Sequence, residues 1–147
     1  RRASYLALLD EQPAAIDYCR QHCRGTYVQG DLCEIPFSND FFDLILFLDA
    51  IEHLTNPIPA LRELARILKP GGAVLICTMS YSSPLWFVLE HTWHRFCGGT
   101  CKPYLKDVHP THYTKKLLRQ HCSGIFEEVY LTTRIMHMEL FYFGRKP

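Results

Sequence analysis

The run Phe42-Asp43-Leu44-Ile45-Leu46-Phe47-Leu48 constrains this chain more than any other feature. It is too short for a buried helix and follows the turn signal Ser38-Asn39-Asp40, so it reads as a strand. Its near-continuous apolar character suits a central strand covered on both faces. A parallel neighbour then needs a crossover, and the sequence supplies one. Asn56-Pro57 reads as an N-cap with proline in the first turn. Ile58, Leu61, Ala65 and Leu68 follow at three- and four-residue steps, giving one apolar stripe. Lys69 favours the negative helix end, and Pro70-Gly71-Gly72 terminates the element before a second buried strand, Ala73–Thr78.

Upstream the same alternation occurs. Tyr5-Leu6-Ala7-Leu8-Leu9 is a short apolar run ending at Asp10, and Pro13 excludes one long helix through both. A helix over Ala14 to Cys23 is expected, with Ile16 and Cys19/Arg20 one turn apart and Gly25 as its stop. Thr26–Gln29 is the next strand, ending at Gly30-Asp31. The order β-α-β-loop-β-α-β implies an α/β fold, a parallel sheet with right-handed crossovers. Further on, Thr114 is placed to cap a short helix through Cys122. Ile125–Thr133 and Met138–Phe143 read as two antiparallel strands at one sheet edge.

At 147 residues, 48% of them hydrophobic, the chain is expected to be a single globular domain (1–147), with 80–113 as a substrate or lid-like insertion. The aromatic stretch Leu85–Phe96 within it reads as core or lid. A net charge of +1 gives no field for nucleic acid or an anionic membrane, and Lys115, Lys116 and Arg119 read as a solvated helix face. The seven cysteines are odd in number; Cys19, Cys23, Cys33 and Cys77 fall inside expected helix or strand, which points to a reducing, cytoplasmic setting. No run approaches the roughly 18 apolar residues of a membrane span. The chain does not start with Met and is read as a fragment or processed product.

Asp31, Ile35-Pro36-Phe37, Phe42-Asp43-Leu44-Ile45, Ile51-Glu52-His53-Leu54, Leu61-Arg62-Glu63-Leu64 and Leu68-Lys69-Pro70-Gly71-Gly72 occur in that order. This series resembles the class I S-adenosylmethionine (SAM) dependent methyltransferases, especially the small-molecule type of ubiquinone and menaquinone biosynthesis. The likeness runs from about Tyr5 to Met79; His112-Tyr113-Thr114 with Leu117-Leu118 looks like the opening of the family's last helix. The resemblance implies a Rossmann-like, mostly parallel sheet with an antiparallel edge hairpin. It also implies SAM as cofactor and a small-molecule methyl acceptor.

Carried onto this sequence, Asp10 matches the acid that accepts hydrogen bonds from the cofactor's ribose hydroxyls, with Glu11 and Gln12 beside it. Asp31 matches the acid that receives the adenine amino group, Leu32 would offer a backbone N–H to the ring, and the backbone of Leu48 would meet the methionine end. His53 is the candidate base, while Tyr81, His112 and Tyr113 are expected on the substrate side, where His109 also falls. A departure stands at the front. The family's first strand, glycine-rich loop and first helix are not matched, and no Gly-x-Gly occurs in the chain. The expectation is therefore a weakened cofactor site, with the first two strands either paired directly with Phe42–Leu48 or leaving a gap. Methyl transfer to an unidentified small molecule leads. A non-catalytic domain serving as a binding or assembly partner is the alternative, and a nicotinamide dehydrogenase fits Glu52-His53 and Lys-Pro-Gly-Gly poorly.

Two metal-like patterns occur, and neither implies a bound metal. Asp49-Ala50-Ile51-Glu52-His53 resembles a Mg²⁺-holding pattern of some quinone-pathway O-methyltransferases, though many relatives carry Glu-His without a metal. His91, His94, Cys97 and Cys101 have zinc-type donors at a compressed spacing that reads as incidental.

Overall fold

The structure, a computed structural model, describes residues 3–92 and 109–147. Two compact units arise, Arg1–Ser38 and Asn39–Pro147. The first is a βαβ unit: strand β1 (Ala7–Asp10), helix α1 (Pro13–His22) and strand β2 (Thr26–Gln29), with β1 and β2 parallel from Ala7↔Thr26 to Asp10↔Gln29. Pro13 stands at the helix start as expected. Gly25 acts differently from the expected helix stop, which Cys23 provides. A Cβ at Gly25 would lie 2.8 Å from the Leu6 carbonyl oxygen, so the glycine admits β1 to close contact. Ile16 and Ile35 are the buried hydrophobic residues of this unit.

The second unit is a four-stranded sheet of order β3-β4-β6-β5, made by β3 (Phe42–Leu48), β4 (Leu68–Met79), β5 (Glu127–Arg134) and β6 (Glu139–Arg145). β3 and β4 are parallel; β6 is antiparallel to both β4 and β5, the expected edge hairpin. Helix α2 (Ile58–Ile67) lies in the β3–β4 crossover and buries Ala60, Leu61, Leu64 and Ile67. The helix begins one residue later than expected, with Pro57 at the N-cap, and the Asn56 side chain accepts from the Ile58 amide at 3.3 Å. Helix α3 (Pro84–His91) follows β4, and helix α4 (Lys115–Cys122) is capped by Thr114, whose hydroxyl accepts from the Leu117 amide at 3.2 Å. Val74, Ile76, Leu140 and Tyr142 on the two inner strands are essentially sealed from solvent.

Two expectations need correction. Lys-Pro-Gly-Gly is a bulge inside β4 and not a helix stop. The helix ends at Ile67, and the ladder jumps from Phe42↔Leu68 to Leu44↔Ala73. Gly71, at φ +74°, permits that excursion, and Gly71 and Gly72 pair with Lys146. Lys69 accordingly meets Asp43 at 2.8 Å, not a helix terminus. The second correction concerns β3, expected as a central strand covered on both faces. Among the described residues it pairs with β4 alone, and Leu44, Leu46 and Leu48 are 53%, 57% and 50% exposed. An apolar run reports the affinity of a strand for cover; which element covers it depends on what pairs alongside. Direct pairing of the first two strands with β3 is not made: β1 and β2 pair with each other.

Directly after β3, Asp49 adopts φ +46°, a left-handed conformation that Asp tolerates better than most residues. Its amide donates to the Cys77 carbonyl, and the chain turns into a 3₁₀ turn at Ile51–His53. Of the aromatic stretch Leu85–Phe96, residues 85–91 fall in α3 and 93–96 lie outside the described residues, as do His94, Cys97 and Cys101 of the His/Cys motif.

Candidate functional site

Within Arg1–Ser38 the structure brings Asp10 and Asp31 to the same end of two neighbouring parallel strands. Asp10 ends β1, opposite Gln29, and Asp31 follows β2 by two residues. Each carboxylate uses one oxygen to hold its own turn. Asp10 accepts from the Gln12 amide at 2.8 Å and Asp31 from the Cys33 amide at 2.7 Å. Among the described residues the second oxygen of each has no partner, so each can accept from a hydroxyl or amino group. Glu11 and Gln12 are exposed beside Asp10, the Glu11 carbonyl accepting from Gln29 Nε2, and Leu32 is half-buried. This donor-hungry pair at strand carboxyl ends fits a nucleoside, whose sugar offers two hydroxyls and whose base offers N–H groups.

Within Asn39–Pro147 a second group converges at the carboxyl ends of β3 and β4. Leu48 is the last residue of β3, and His53 closes the turn that follows; Tyr81 lies two residues beyond β4. The segment 109–113 is tied to both. The Thr111 amide donates to the Glu52 carbonyl, the Thr111 hydroxyl to Leu54, and the Tyr81 amide to Tyr113. These bonds set the His53 and His109 rings 4.7 Å apart, centroid to centroid. Tyr81 bridges two histidines: its hydroxyl and His109 Nδ1 share a 3.0 Å hydrogen bond, while its ring stacks on His112 at 3.9 Å.

Beneath them sits Glu52, only 1% exposed, accepting from the Thr78 hydroxyl at 2.7 Å. Burial pushes its carboxyl above the usual carboxylate range, against the partial opposition of its backbone hydrogen bond and Thr78. His109 is pushed the other way. Its burial, and then the nearby His53 and His112, hold the imidazole below its ordinary value and favour the neutral ring. Ligand atoms of Glu52, His53 and His109 all lie within 4.8 Å of one another, a spacing at which they could share a cation; Asp49, expected to join Glu52 and His53, is not in that group.

Tyr113 stands apart. It is fully buried with its hydroxyl on His121 Nδ1 at 3.0 Å, which makes it a support for the 109–113 segment. Sequence reading did not find Glu52 and Thr78 as a pair. A signal existed, since Thr78 is the lone hydroxyl in Ala73–Thr78, but its partner lies 26 residues away.

A methyltransferase domain model matches residues 1–76, half of the chain. The chain belongs to the methyltransferase domain family. Members of this family use S-adenosyl-L-methionine as cofactor, and the fold is the Rossmann-like class I type. The chain is 31% identical over 97 residues to the ubiquinone/menaquinone biosynthesis C-methyltransferase UbiE of Coxiella burnetii, covering 65% of this chain and 39% of that protein. Over 67 residues it is 39% identical to UbiE of Idiomarina loihiensis, covering 46% and 26%. The chain thus spans about two fifths or less of these curated relatives. Its fold is similar to a protein of Haloferax volcanii solved in complex with the Trm112 methyltransferase activator, with a TM-score of 0.77 and 17% identity over 96% of this chain and 71% of that one.

Proposed function

We propose that this chain takes part in methyl transfer from SAM to a small molecule, with His53 receiving the acceptor's proton. The observation that carries this reading is the convergence of His53, His109, Tyr81 and buried Glu52 beyond the carboxyl ends of two parallel strands, where ligands of α/β sheets bind. Asp10 would hold the ribose hydroxyls, with Glu11 and Gln12 shaping that edge. Asp31 would take the adenine amino group, with the Leu32 amide toward the ring and Leu48 at the methionine end.

The cofactor supplies an electrophilic methyl on a sulfonium, so the protein's work is alignment and proton management. His53, exposed at the end of its turn, is open to an incoming acceptor. An acceptor hydroxyl or acidic carbon loses its proton to an imidazole nitrogen of His53 as its lone pair becomes nucleophilic. His109, kept neutral by burial and oriented by Tyr81, does not compete as a cation and leaves His53 able to carry the positive charge. His112, stacked on Tyr81, forms a flat wall against which a planar acceptor can lie.

The absence of Gly-x-Gly among these 147 residues supports weak cofactor affinity for this chain by itself. A cytoplasmic setting belongs to the same reading. None of the described cysteines Cys19, Cys23, Cys33, Cys77 and Cys122 is in a disulfide, and burial lifts the thiols of Cys77 and Cys122 to about 12. No helix among the described residues is long and apolar enough to cross a membrane.

Thermal stabilisation by S-adenosylhomocysteine, measured with the chain as given and with its upstream sequence, tests the reading. A rise in melting temperature that D10N and D31N abolish supports it. No response in either form favours the non-catalytic alternative, a binding or assembly domain.

A further inference from the structure

The turn after β4 serves two places. Tyr81 goes to the histidines, while Ser80 and Ser82 line an open cavity of about 500 Å³. The other walls come from the first turn of α4, with Lys115 and Lys116, and from the β5–β6 hairpin, with Thr133 and His137. Among the described residues no carboxylate lines it.

Three observations bear on what this cavity takes. First, its positive charge is uncompensated. Lys115 and Lys116 occupy the first two positions of α4, where the helix dipole already presents positive charge and no acid stands in the first turn. Among the described residues no carboxylate pairs with either ammonium. Two lysines there oppose the helix's own preference, and an anion between them removes the conflict. Second, Ser80 is 1% exposed and its hydroxyl has no hydrogen-bond partner among the described residues, an orphaned polar group in the cavity wall. Third, further hydroxyls and a ring converge. Ser82 is exposed at the rim, and Thr133 Oγ1 and His137 Nδ1 hold each other at 2.7 Å.

We propose that this cavity binds a phosphate group, carried by the methyl acceptor as a phosphate monoester. Assigning the phosphate to the acceptor rests on the methyl-transfer reading above; the anion site itself does not. A tetrahedral dianion satisfies two ammonium groups, the free amides of the helix end and the Ser80 hydroxyl together, which a planar carboxylate with two oxygens does less completely. Ser80-Tyr81-Ser82 then joins the two ends of one substrate: its phosphate between the serines and lysines, and its reacting end toward Tyr81, His109 and His53.

The test is amide-resolved NMR of the full 147-residue chain, titrated with inorganic phosphate at fixed ionic strength, with acetate and chloride as comparison anions. Saturable shifts at Ser80, Ser82, Lys115 and Lys116 are expected with phosphate, and binding about tenfold weaker with acetate. K115Q/K116Q, both exposed residues, should weaken phosphate binding about tenfold or more, and S80A about threefold. R24Q/R62Q, which removes the same charge elsewhere, should leave it unchanged. Phosphate shifts no larger than those of chloride, or equal binding by K115Q/K116Q and wild type, would overturn the site. Binding at these residues without methylation of any phosphorylated acceptor, in a chain that does respond to S-adenosylhomocysteine, overturns the assignment to the acceptor. Phosphate binding in a chain that never responds to S-adenosylhomocysteine overturns the methyl-transfer reading and leaves the anion site standing.

Discussion

In Arg1–Ser38 one helix covers two four-residue strands and seals off Ile16 and Ile35. In Asn39–Pro147 two long inner strands and two amphipathic helices bury a continuous set that includes Leu61, Leu64, Val74, Ile76, Leu118, Leu140 and Tyr142. Both units place candidate site residues at strand carboxyl ends. Only the second has the apolar burial to hold them there by its own means, because a lone two-stranded sheet is marginal in water. In the proposed reading the small unit would meet the cofactor's nucleoside, and the large one would carry the proton chemistry.

The widest separation should come from the cores. Leu61→Ala should cost about 3–4 kcal/mol in the main unfolding transition followed by denaturant. Ile16→Ala should leave that transition in place and show itself instead as faster amide exchange at Leu8, Leu9 and Val28. A main transition that shifts equally for both variants would break the comparison. Next in size, His53→Asn should lower turnover about a hundredfold with cofactor affinity unchanged. Asp10→Asn should do the reverse, weakening S-adenosylhomocysteine about tenfold, as expected for one lost charge-assisted hydrogen bond.

Acidity offers a gentler probe. His109 and His121, both in the large unit, are held below their ordinary value of 6.5 by burial. The unfolded chain therefore binds more protons than the native one as pH falls below that value. Their stabilisation is full above about 6.5 and is lost on acidification through the depressed native values. His109→Gln should flatten that loss; an unaltered acid profile would show that the ring is not buried as described. Smallest of all, Lys69→Ala should cost less than about 1 kcal/mol, since its partner Asp43 is 85% exposed.

Local features were legible because they follow from neighbours in sequence. Pro13 opening a helix, Thr114 capping one, and the alternation of strands and helices all belong to that class. The Lys-Pro-Gly-Gly tract misled because its helix-stop chemistry and its bulge chemistry use the same residues. Only the pairing of Gly71 and Gly72 with Lys146, over 70 positions away, distinguishes them. Asp10 and Asp31 could be found by resemblance, each standing beside a strand end. The His53–His109 pair could not, since it depends on Thr111 anchoring a distant segment to the turn after β3. Tyr113 illustrates the opposite limit: nothing in the sequence of this substrate-side candidate hinted that its hydroxyl turns inward to His121.

Asp49 sets one final boundary, on how this chain can vary. Everything after β3 that faces the chemistry, from Glu52 against Thr78 to His53 against His109, hangs from a backbone angle of +46°. Glycine and asparagine could inherit that position at small cost, whereas valine or isoleucine would swing the turn out of register. Position 49 therefore has a short alphabet, imposed by geometry even if its carboxylate never touches a ligand.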